Sequence, residues 1–92
     1  MSERQVWAHR SRGSDCWAVF FQEDRDYPVS LRKTYTKPDS DELLPGKSGM
    51  CFRDVGELVT VYELLADALR EAVRAGQLSP LVIVELGLTD DD

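Results

Sequence analysis

VSLRKTYTKPDSDELLPGKSGMCFRDVGELVTVYELLADALREAV, residues 29–73, changes its hydrophobic period partway along, and that change decides the fold class. Residues 29–37 alternate with period two. Val29, Leu31, Lys33 and Tyr35 fall on one side, and Ser30, Arg32, Thr34 and Thr36 on the other. One wholly polar side predicts a strand in an antiparallel sheet with a solvated face. From Asp54 the period becomes helical. Asp54 followed by Glu57 is a capping pattern, which starts the helix at Asp54. Leu58, Tyr62, Leu65, Leu69, Ala72 and Val73 recur at helical spacing as the expected buried stripe, and Val61, Leu64 and Ala68 widen it. Gly76 is the expected stop, so the helix covers residues 54–75. Between the two periods, PDSDELLPGKSG (38–49) reads as a long loop and MCFR (50–53) as a short fourth strand.

Working outward, CWAVFFQ (16–22) is aromatic and β-branched and carries the strongest strand signal in the chain. QVWAHRS (5–11) alternates loosely and reads as the strand before it, across a turn at Gly13-Ser14-Asp15. EDRDYP (23–28) is a charged loop. After Pro80, LVIVELGL (81–88) is short and β-branched and predicts a final strand able to pair with a sheet edge. The order is then β-β-β-β-α-β. The expected fold is α+β: a curved antiparallel four-stranded sheet followed by one long helix, with an additional C-terminal strand. One domain is expected over residues 1–89, followed by an acidic tail at 90–92.

A chain of 92 residues buries only about 60–65% of its unfolded surface, so the core is modest and a homodimer is expected. Apolar residues make up 42% and charged residues 30%, which excludes wholesale disorder. No apolar run approaches the ~18 residues of a membrane span, and MSERQVWAHR does not have the pattern of a signal peptide. An intracellular location, cytoplasm or nucleus/nucleoid, is expected. In that setting Cys16 and Cys51 are expected as free, buried thiols.

The net charge of −6 is unevenly spread. Residues 1–53 carry nine Lys/Arg against eight Asp/Glu, whereas residues 54–92 carry two against nine. Such asymmetry points to two surfaces with different partners.

Catalytic chemistry is poorly supplied. His9 is the single histidine, no CxxC pair is present for zinc, and no base is signalled near either cysteine. PGKSG lacks the upstream glycine of a phosphate loop. No enzyme activity, cofactor or metal is expected. What remains is a set of cations and rings on the sheet half: Arg10, Arg12, Arg32, Lys33, Lys37, Lys47 and Arg53, with Trp7, Trp17, Phe20, Phe21, Tyr35 and Phe52. Single-strand binders need this mixture, because cations track the backbone and flat rings stack bases without reading sequence.

Residues 29–73 resemble the core of the positive cofactor four family of transcriptional coactivators. The strand is VSLRKTY, the acidic loop TKPDSDEL, the turn PGKSG and the short strand MCF, with the helix following. CWAVFFQ and QVWAHRS fit the family's first two strands. The resemblance implies a dimer that binds single-stranded or melted DNA with little sequence preference. The matching positions are Arg32 for the strand arginine, Tyr35 for the strand-end aromatic, Phe21 for the aromatic closing the second strand, and Lys47 for the loop cation. Leu44 and Ser48 stand where the family often has cations, which weakens the electrostatic attraction. The expected interface is therefore Arg32, Lys33, Lys37 and Lys47 on phosphates, with Phe21 and Tyr35 on bases. The alternative is a protein-interaction module whose acidic C-terminal half binds a nucleic-acid-processing protein.

Overall fold

The computed structural model describes residues 3–88, and the acidic tail expected at 90–92 lies outside them. The elements run β1 (Gln5–Arg12), β2 (Asp15–Phe21), β3 (Val29–Tyr35), β4 (Leu44–Phe52), α1 (Val55–Arg74) and α2 (Pro80–Glu85). The four strands form one open antiparallel sheet in sequence order, so the fold is α+β. The chain divides into two compact units between Leu58 and Val59. Among the described residues no helix is long and apolar enough to cross a membrane.

In the sheet unit, β1 and β2 meet across a two-residue turn, with Arg12 opposite Asp15. Ala18, Phe20, Val29 and Phe52 are its buried residues. Alternation puts Ala18 and Phe20 on one face and Val29 and Phe52 on the other, so each face contributes to the core.

The segment expected as a loop at 38–49 is half strand. β4 begins at Leu44 and runs nine residues, through the proline and both glycines. It does so by a bulge: Arg32 pairs with Gly49 and Thr34 with Pro45, leaving residues 46–48 out of register. Carbonyls freed from the ladder need other donors. Arg32 supplies them, donating from Nη1 to the Gly46 oxygen at 3.3 Å and the Lys47 oxygen at 3.5 Å. Gly49 has φ +145°, and a Cβ there would lie 2.1 Å from the Leu31 carbonyl oxygen. Only glycine fits this turn of the backbone.

α1 starts as the capping pattern predicts. Asp54 Oδ1 accepts from the Glu57 amide at 3.0 Å, and the Glu57 carboxylate accepts in return from the Arg53 amide. It ends at Gly76, where the Gly76 and Gln77 amides donate to Val73 and Ala72. Its exposure differs from the expected stripe. Ala66 is buried, Leu58, Val61, Leu69, Ala72 and Val73 are half-buried, and Tyr62 and Leu65 face solvent at 58% and 50%.

The expected C-terminal strand at 81–88 is instead a helix. Ser79 Oγ accepts from the Leu81 amide at 3.3 Å, Pro80 occupies the first turn, and Gly87 at φ +71° closes the far end. The Gly87 and Leu88 amides donate to Val84 and Ile83. A cap at one end and a left-handed stop at the other override the strand preference of the β-branched residues between them.

Candidate nucleic-acid interface

Register decides which cations and rings share a surface. Arg10 sits opposite Trp17, and Trp17 sits opposite Lys33. The three form one row across β1, β2 and β3, with Trp17 41% exposed between two cations. Directly paired side chains stand about 4.5–5.5 Å apart at Cβ, so the indole is flanked on both sides. Arg10 and Arg12 have no ion-pair partner among the described residues, while Lys33 Nζ lies 3.0 Å from Asp15 Oδ1. Further along the same face, Trp7 stacks on Phe21 with centroids 4.4 Å apart and planes 12° from parallel. The Trp7 indole N–H donates to Gln5 Oε1 at 3.1 Å, which fixes the ring. Tyr35, at the end of β3, is 52% exposed.

The opposite face carries a groove of about 260 Å³. Arg4, Arg25 and Arg32 are among its lining residues, with the buried Phe20 and the exposed Tyr27. Arg4 Cζ lies 5.9 Å from the centroid of the Phe20 ring, and Arg53 Cζ lies 5.9 Å from that of Tyr27. The β2–β3 loop folds back through a 2.9 Å bond from the Gln22 amide to the Pro28 carbonyl. Arg4 is paired with Glu42 at 3.7 Å, outside the groove lining.

The six expected interface residues are thus divided. Phe21, Lys33 and Tyr35 share the face of the Trp17 row, with Phe21 half-buried under Trp7. Arg32 alternates onto the groove face, where its guanidinium holds the bulge and Nη2 donates to Cys51 Sγ at 2.9 Å. Lys47 is exposed on that bulge, and Lys37 lies beyond the end of β3. The sequence missed Arg4, which precedes β1, and Arg25 and Tyr27, since the loop 23–28 reads only as charged and its return over the sheet is a tertiary event. Its Tyr-Pro step, which forces extended backbone into β3, was the available signal.

Both cysteines are free. Cys51 is exposed rather than buried, and Cys16 is half-buried. The Ser11 hydroxyl, then the Thr34 hydroxyl, hold the Cys16 thiol below its ordinary value. Among the described residues no cluster of three His, Cys, Asp or Glu side chains is placed to hold a metal ion. Comparison with family models, with curated proteins and with solved structures returns no match.

Proposed function

We propose that this chain is a single-stranded nucleic-acid-binding module, and that the strand runs over the face carrying Trp17. The observation behind this reading is the row Arg10–Trp17–Lys33, a solvent-exposed indole with a cation on either side. Cations spaced strand by strand suit the repeating charge of a phosphodiester backbone, and the indole offers a base a stacking surface. Trp7 on Phe21 and the exposed Tyr35 extend the aromatic surface beyond one nucleotide. Rings and point charges carry no base code, so little sequence preference is expected.

The module acts as a homodimer in this reading. On α1, on α2 and at its C-cap, Val59, Tyr62, Leu64, Leu65, Leu81 and Leu86 are half or more exposed, large apolar side chains that association would bury. A second copy is the partner that would cover them.

The test is fluorescence anisotropy of a labelled oligo-dT at several salt concentrations, with duplex as competitor. Micromolar or tighter binding that prefers single strands and weakens with salt is expected. Replacing Arg10 and Lys33 by alanine should make the salt slope shallower by about 0.7 per cation removed. An unchanged slope in the double variant sinks the assignment to this face.

A further inference from the structure

The groove on the opposite face has a different design. Cations that follow a strand are spread along it, whereas here three arginines, Arg4, Arg25 and Arg32, line one small volume. At about 260 Å³ the groove falls below the ~300–1,000 Å³ of sites for drug-sized ligands, so it suits one small group and not a run of nucleotides. No carboxylate lines it among the described residues, although acidic residues outnumber basic ones in the chain. Arg25 has no ion-pair partner among the described residues. Arg32 is locked by its bonds to the Gly46 and Lys47 carbonyls, so one wall of positive charge is fixed before any ligand arrives. Phe20 forms an apolar floor and Tyr27 an exposed ring at the rim.

We propose that this groove binds the phosphate monoester of a nucleotide, either at a strand end or on a free mononucleotide. A monoester carries a charge of about −1.5 to −2 and three acceptor oxygens, which several converging arginines match better than the single charge of a diester. The Tyr27 ring then lies against the sugar or base next to the phosphate. Arg4 must exchange Glu42 for the ligand, which is a small loss because the pair is long at 3.7 Å and its carboxylate is solvent-exposed. These residues are separate from the Trp17 row, so the proposal stands or falls apart from the strand-binding reading.

The experiment compares oligo-dT bearing a 5′-phosphate, a 3′-phosphate or hydroxyl ends, together with free thymidine monophosphate. One phosphorylated end is expected to bind about tenfold more tightly than hydroxyl ends, the scale of one added charge-assisted contact. Arg25→Ala and Arg4→Ala should each remove that gain and leave the affinity for the hydroxyl-ended strand unchanged. Amide NMR shifts at Ser30 and Cys51 on adding thymidine monophosphate report the groove even where no oligonucleotide binds. Shifts there without an end effect on strands assign the groove to free nucleotides. Equal affinity for all three oligonucleotides, with no shift on adding the mononucleotide, overturns the proposal. Loss of hydroxyl-ended binding alone would overturn the strand-binding reading and not this one.

Discussion

The two faces of the sheet use similar residue types in different arrangements. On one, Arg10, Trp17 and Lys33 are laid in a line, one per strand, by pairing register alone. On the other, Arg4, Arg25 and Arg32 are drawn together by a folded-back loop and a bulged strand. Arg32 and Lys33 are neighbours in sequence, yet pleating assigns one to each arrangement. A line of charge suits a polymer, and a cluster of charge suits a single anionic group. Composition is common to the two faces; geometry is what separates their chemistry.

The largest perturbation to this contrast is Gly49→Ala. The added methyl meets the Leu31 carbonyl at 2.1 Å, so β4 must shift. A cost of about 1–3 kcal/mol is expected for the strained backbone, readable as a lower urea midpoint. Because the bulge walls the groove while the row lies on β1–β3, the preference for phosphorylated ends should vanish with hydroxyl-ended binding retained. Retention of the end preference would mean that the bulge does not shape the groove.

Trp17→Ala acts on the other face. Loss of one stacking ring should weaken oligo-dT binding by about 1–3 kcal/mol, with the increment from a phosphorylated end intact. Both tryptophans belong to this face. Their fluorescence should therefore be quenched by oligo-dT and left unaltered by thymidine monophosphate.

The smallest effect concerns Cys16, which precedes Trp17 and alternates onto the groove face. With its thiolate favoured by Ser11 and Thr34, alkylation by iodoacetamide should set in at lower pH than for an ordinary thiol. Ser11→Ala should move that onset upward. The linked stability is present above the thiol's unfolded value and is lost as pH falls through the folded one. On the proposed reading a saturating oligo-dT should not slow the reaction, since the strand would run over the other side of the sheet. Protection would place the strand on the wrong face here.

Much of the scaffold was legible in the residue pattern. The switch of period at Asp54, the Asp54/Glu57 cap and the stop at Gly76 are local signals, and local hydrogen bonds fulfil them. Two segments were misread because a rule about residue type met a stronger one about position. LVIVE is strand-like in composition, but Ser79, Pro80 and Gly87 bound it as a helix. PGKSG is turn-like, but Arg32 rescues its carbonyls and lets β4 continue through it. The interface was legible as a list of types and not as a surface. That Trp17 lies between Arg10 and Lys33 follows from the turn after Arg12, which sets the β1–β2 register, and from the register of β2 on β3. Neither of those is written in periodicity. Arg25 and Tyr27 enter the groove only once the β2–β3 loop has closed on the Gln22–Pro28 bond.

With α2 helical, no fifth strand joins this sheet among the described residues, and β1 and β4 are both margins. Each margin is irregular, β1 at the shift between Val6 and Ala8, β4 at the bulge beside Pro45 and Lys47. A straight, regular border would invite strands from other molecules to add without limit. Here the irregular borders interrupt the hydrogen-bonding template on both sides, which protects a small open sheet from fibre growth.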